Sequence, residues 1–235
     1  MMNTRNIRNT KNIFRWFKKE DPNIIDSWDK MPVGFLKDIH RITSNENLSE
    51  DDKSLQAAAV LGRLPYDTLL NLPLDEAQEL VARTAFLYEK PEKKSIRKTY
   101  TLNGRTYIPL MSMEDMTTAQ FIDFNSLIND LDERLPEILS IFLVPKGHKY
   151  NDGYDKNTVV KDISEKLMVT EALGMASFFI NGYKKYAMRT LLYSEAALEV
   201  TMWKAPKELR PQAKEVMKQL RRLREEIRSS YGYRL

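Results

Sequence analysis

Two histidines, His40 and His148, and no cysteine occur in 235 residues. Thiolate ligands, a cysteine nucleophile and a histidine-rich metal site are therefore excluded from the start. The densest set of groups able to do chemistry is His148-Lys149-Tyr150-Asn151-Asp152-Gly153-Tyr154-Asp155, where one imidazole lies within a few residues of two carboxylates. Such a set can act as an acid–base pair or as part of a metal site. Asn-Asp-Gly, however, is first of all a turn sequence. Asp152 and Asp155 lack the twelve-residue oxygen-ligand register of a calcium loop, and no groups elsewhere complete a site. Glu50-Asp51-Asp52 and Glu225-Glu226 read as helix-start charge and solvated face, and Ser177-Phe178-Phe179 as an apolar helix face. None of the eight glycines stands in a phosphate-cradling or dinucleotide-binding spacing, and there is no Gly-x-Ser-x-Gly elbow. The residues predict a protein that is not an enzyme and carries no cofactor or metal.

Charge is more informative than chemistry. The net charge of +4 hides a segregated layout: residues 1–20 carry six basic residues against one acidic, and residues 204–235 carry ten against four. The 183 residues between them hold a net charge of −7. Basic ends on an acidic body can meet nucleic acid, a membrane surface or an acidic protein, or can lie on the body itself. The longest stretch without a charged side chain is the twelve residues Ala172 to Tyr183, well short of the about 20 needed to span a bilayer, so no membrane role is expected. The basic N-terminus lacks an uninterrupted apolar segment and is not read as a secretory signal.

With 42% hydrophobic residues there is material for a core, and the periodicity is helical almost throughout. The expected fold is mainly α: a multi-helix body with one β-hairpin at about 99–108 and a basic C-terminal helix. Residues 1–23 read as a basic flexible segment, including Ile13-Phe14-Arg15-Trp16-Phe17. A helical unit spans 24–91. It contains a helix starting near Pro32 with Asp29 as an acidic cap, a second capped by Ser49 and ended by Gly62, and a third opened by Asp75-Glu76 and running to about Tyr88. Residues 92–111 form a linker and hairpin, because Asn103-Gly104 between two β-prone runs suits a turn with both central residues at positive φ. So small a ribbon must pack on a helix or join another sheet.

A second helical unit covers 112–203. Thr117 or Thr118 caps its first helix, and Leu135 to Val144 reads as one buried helix. After a turn-rich loop come a short helix from Asn157 to Leu167 and a long one reaching about Trp203. Pro206 separates a basic tail helix within 204–235, in which Leu209, Ala213, Val216, Leu220, Leu223 and Ile227 follow a heptad repeat. That stripe suits packing on the long helix or pairing with a second copy.

Several strings in this order are distinctive: Ser27-Trp28-Asp29-Lys30-Met31-Pro32, Leu69 to Asp75, Tyr100 to Tyr107, Met116 to Phe124, and Phe142 to Asn151. Together they resemble small proteins of tailed phages and prophages of gut Bacteroides-type bacteria assigned as tail assembly chaperone-like proteins. The resemblance spans about residues 27–200 and leaves out the tail helix. It implies a non-enzymatic morphogenesis factor, mostly helical and acting in the host cytoplasm, that coats the tape measure protein and passes it to the tail tube protein. Met111, Met113, Met116, Met175, Met188, Met202 and Met217 would suit an adaptable helix-binding groove, and ordinary core positions equally. The expected contact residues are Phe121, Ile122 and Phe124 for an apolar groove, and Arg221, Arg222 and Arg224 for a basic contact. Two alternatives stand beside this. One is a structural virion protein (connector, tail-completion or internal head protein) touching neighbouring subunits or packaged DNA. The other is a nucleic-acid-binding accessory protein using the basic ends; homo-oligomers fit either.

Overall fold

The computed structural model describes residues 25–204 and 206–230; the basic segment at 1–23, with its aromatic run, and the last five residues lie outside the described residues. Helices α1 (Leu36–Thr43), α2 (Glu50–Leu61), α3 (Tyr66–Leu70) and α4 (Leu74–Arg83) make up the first part. Strands β1 (Tyr100–Leu102) and β2 (Arg105–Pro109) follow. Next come α5 (Thr118–Leu127), α6 (Leu131–Phe142) and β3 (Leu143–Pro145). The chain finishes with α7 (Lys156–Lys166), the 36-residue α8 (Val169–Lys204) and α9 (Arg210–Ser230). The fold is mainly α with one small antiparallel sheet.

Local chemistry explains where three of these helices start. The Ser49 hydroxyl accepts a hydrogen bond from the Asp52 amide at 3.1 Å, and Glu50, Asp51 and Asp52 complement the positive end of α2. At α5, Thr117 and Gln120 bond reciprocally as a capping box. Asp155 caps α7 through the amides of Asn157 and Thr158. The expected cap Asp29 does something else. Its carboxylate accepts from the Thr170 hydroxyl at 2.8 Å and pairs with Lys94, so it fastens the first segment to the start of α8. Pro32, with φ of −61°, stands before a 3₁₀ turn at Val33–Phe35 instead.

The hairpin forms as expected, with Asn103 and Gly104 at φ of 47° and 76° and Tyr100 opposite Tyr107. It is not alone, because β3 pairs antiparallel with the other edge of β2. The run Leu135 to Val144 is thus not one helix: α6 stops at Phe142 and the chain turns extended at Leu143. Pro145 supplies the reason. The residue before a proline is pushed out of the helical region, and a proline is tolerated on an edge strand where its missing N–H is not needed.

The larger of two hydrophobic clusters among the described residues draws on both expected helical units: Met31, Val33, Ile39 and Leu61 join Phe142, Leu167, Val169 and Phe179. Backbone bonds seal the junction, from the Val33 amide to the Leu167 carbonyl and from the Val169 amide to the Met31 carbonyl. At the centre Phe142 stacks on Phe179 with centroids 4.0 Å apart, and Phe124 meets Phe142 and Tyr183 edge-on. The residues before β1 cross α8 closely enough that a Cβ at Gly174 would overlap the Lys94 carbonyl.

Candidate partner-binding surface

The groups first suspected of chemistry serve as fasteners. His148 Nδ1 lies 3.0 Å from the Asp152 carbonyl, and its ring meets Tyr154 edge-on. The Tyr150 hydroxyl donates to Asp123 at 2.5 Å, while Lys156 Nζ contacts the same carboxylate at 3.0 Å and sits over the Tyr150 ring. Burial, and then the Asp123 charge, raise the Tyr150 hydroxyl well above its usual range, so it stays protonated and is no base. Among the described residues no three His, Asp or Glu side chains are grouped to hold a metal ion, and no helix is long and apolar enough to cross a membrane.

The most buried carboxylate, Asp162 on α7, ties down the hairpin. It accepts two 2.6 Å bonds from the Arg105 guanidinium, one from the Tyr107 hydroxyl and one at 2.9 Å from the Asn103 amide. Burial alone pushes its pKa up, but these donors outweigh it and hold the carboxyl at about 2. With every acceptor position engaged, Asp162 is a structural anchor.

The three apolar residues expected to share a groove do not. Phe124 is fully buried in the central aromatic stack, Phe121 is half-buried against Tyr183, and only Ile122 points outward, 60% exposed. Residues on consecutive helix positions face different directions, and α5 turns its Phe124 side inward. Phe124 is a core residue and offers nothing to a partner.

Among the described residues, exposed large apolar side chains recur along one element elsewhere, on an arm. Helix α8 is about 54 Å long, at 1.5 Å per residue, yet the core takes it only as far as Ala187. Beyond that point it runs antiparallel to α9. The seam between them uses Leu191, Glu195, Leu198 and Met202 on one helix, and Ala213, Met217, Leu220, Arg224 and Ile227 on the other, all buried or half-buried. Both sets follow alternating steps of three and four, the signature of a coiled-coil seam. The heptad stripe of α9 therefore splits: Ala213, Leu220 and Ile227 turn toward α8, and Leu209, Val216 and Leu223 remain exposed.

The three candidate arginines lie on this arm in different roles. Arg224 is spent inside the seam, donating to Glu195 at 2.8 Å. Arg221 stands 4.0 Å from the same carboxylate and remains mostly exposed. Arg222 is exposed. Together with Lys214 and Lys218, Arg221 and Arg222 line a shallow groove of about 420 Å³ that is floored by Met202 and Met217 and edged by Glu199 and Glu225. Four cations against two carboxylates make it an electropositive trough.

No protein-family model, no curated protein and no solved structure matches the chain. The surface must therefore be read on its own chemistry. On the outward side of α8, Tyr186, Tyr193 and Val200 recur every seven residues, flanked by Leu192 and Trp203; Tyr193 is 70% and Trp203 77% exposed. Large apolar side chains arrayed along a projecting helix mark an interaction surface. Sequence reasoning missed this ridge, although its seven-residue spacing was there to be found. It also missed Glu195 and Asp162, for which no local signal exists, because their partners lie 29 and 57 residues away.

Proposed function

We propose that this chain is a non-catalytic assembly protein of a tailed phage or prophage, acting as a tail assembly chaperone that binds the helical tape measure protein with the outer ridge of α8. The observation that carries the reading is that ridge. Tyr186, Leu192, Tyr193, Val200 and Trp203 stand exposed on a helix already packed on its other side. A helix laid along them would bury apolar stripe against apolar stripe, the helix-in-groove mode that shields an aggregation-prone client. The resemblance at about residues 27–200 supplies the phage setting and the host cytoplasm as the place of action. The buried carboxylate and the His148 loop are engaged in structural bonds, which supports a binding role over a catalytic one.

Mass spectrometry of purified particles beside an infected-cell lysate tests the reading. A chaperone is present in the lysate, absent from particles, and captures tape measure in a pull-down that a Tyr193→Glu/Trp203→Glu variant loses. Stoichiometric presence in particles overturns it. The electropositive trough favours a second reading, a structural virion protein that touches packaged DNA. Binding to DNA through that trough would weaken steeply with salt and be lost in Arg221→Glu/Arg222→Glu.

A further inference from the structure

The arm has a second exposed face, different from the outer ridge of α8 and from the basic trough, and its composition is unlike the rest of the surface. Leu209, at the end of the 3₁₀ turn that leads into α9, and Val216 and Leu223 on α9 project at seven-residue spacing and are 51%, 46% and 48% exposed. In the antiparallel pairing set by Glu195–Arg224, the neighbouring edge of α8 carries Thr190, Ser194, Ala197 and Thr201, all exposed. Those positions follow steps of four, three and four, so they form one continuous track of small side chains.

Two details make the track ready for a dry contact. The Thr190 hydroxyl donates to the Tyr186 carbonyl at 3.0 Å and the Thr201 hydroxyl to the Ala197 carbonyl at 2.8 Å. With their hydroxyls bonded back to their own helix, both threonines need no outside hydrogen-bond partner, and they present methyl groups. Between Thr190 and Thr201, and between Leu209 and Leu223, this face bears no charged side chain; its other α9 positions are Gln212 and Gln219. The cations Lys214, Arg221 and Arg228 lie on the opposite edge of the helix.

We infer that this face pairs with the same face of a second copy, the Leu209-Val216-Leu223 ridge of each arm seating on the small-residue track of the other to give a four-helix bundle. A twofold interface uses one surface twice and must be self-complementary. Ridge and track lying side by side on one face meet that condition, since bulky rows pack where small rows let helices approach. The charge layout picks the same occupant. Exposed Glu208, Glu215 and Arg222 stand only on the far flank of the ridge, away from the small-residue track, so two copies meet neutral against neutral over the contact and keep their basic edges apart. This pairing does not depend on the phage reading.

Light scattering after gel filtration of the full chain, over loading concentrations from about 1 to 100 μM, reads the mass directly. The expected result is twice the monomer mass for the wild type and the monomer mass for Val216→Arg/Leu223→Arg, with a dimer dissociation constant raised at least about 100-fold. Circular dichroism checks that the arm is still helical, and Val216→Ser/Leu223→Ser serves if arginine unfolds it. Because the chain has no cysteine, single-cysteine variants report the geometry cleanly. Ala197→Cys mixed with Val216→Cys should give a cross-linked dimer on oxidation, and Ala197→Cys by itself should not. A wild type that stays monomeric throughout overturns the pairing, as does a dimer indifferent to the arginine pair. A dimer that the arginine pair dissolves but that forms no 197–216 cross-link overturns the ridge-on-track arrangement.

Discussion

Glu195 and Arg224 face each other across the seam of the arm, with guanidinium nitrogen and carboxylate oxygen 2.8 Å apart among leucines and methionines. An ion pair in an otherwise apolar helical seam fixes register, because a shift of either helix by one turn would strand both charges. It is also asymmetric: Arg224 is 30% exposed at its side chain, while Glu195 is 11% exposed and its second oxygen has no hydrogen-bond partner.

That asymmetry sets the cost of breaking the pair. Arg224→Ala leaves a largely buried carboxylate with only the 4.0 Å contact to exposed Arg221 and should destabilise the arm by about 2–3 kcal/mol. Glu195→Ala leaves an arginine able to reach water along its aliphatic stem and should cost less, about 1 kcal/mol. Replacing both with leucine should restore stability. Hydrogen exchange of the arm amides measures all three; equal protection in the two single variants would contradict the argument.

Acid should loosen the sheet first. Asp162 titrates at about 2 in the folded chain, against about 3.9 in an unfolded one, so the folded state favours its ionised form. The stabilisation is full above the unfolded value and is lost as the pH falls from about 4 toward 2, amounting to about 2–3 kcal/mol. Asp162→Asn should cut stability at pH 7 by a comparable amount and flatten this part of the acid-denaturation profile. An unchanged profile in that variant would show that other carboxylates carry the acid sensitivity.

Two glycines of α8 look alike in sequence and should behave differently. At Gly174 an added Cβ overlaps the Lys94 carbonyl, a backbone atom held in place by the Lys94 amide bonding to the Thr170 carbonyl. Gly174→Ala should cost about 2–3 kcal/mol through overpacking. At Gly182 the added atom meets Met113 Cγ at 2.7 Å, part of a flexible side chain, and the better helix propensity of alanine offsets the crowding. Gly182→Ala should change the unfolding midpoint little. Denaturant unfolding of the two variants side by side checks the contrast.

The α5 residues separate core from surface. Phe124→Ala removes the ring that meets Phe142 and Tyr183 and should cost about 3–5 kcal/mol. Ile122→Ser, 60% exposed, should stay within about 0.5 kcal/mol and leave any partner binding through α8 intact. A loss of binding in Ile122→Ser at unchanged stability would bring α5 back as a contact.

Much of the fold was legible because its signals are local. Ser49 and Thr117 bond to amides three residues on, Asn103-Gly104 needs only its own φ angles, and the heptads of α9 repeat within one helix. The reading failed where a residue answers to something far away in the chain. Asp29 looked like a cap and reaches Thr170, 141 residues on; Leu143 and Val144 looked like the end of a helix and, with Pro145, complete a sheet with β2. Phe124 sat in an apolar cluster with Ile122, and nothing local says which of the two turns inward.

By itself, then, the amino-acid order determined a helical chain with a tight hairpin and an acidic body with basic ends, since propensity, capping and charge act within a few residues. Only the tertiary structure decided which faces were consumed. It put Phe124 and Asp162 inside, spent Arg224 on Glu195, and left the α8 ridge and the Leu209-Val216-Leu223 row outside. An amphipathic helix has more apolar surface than one neighbour can cover, and which part stays exposed depends on where the neighbour lies.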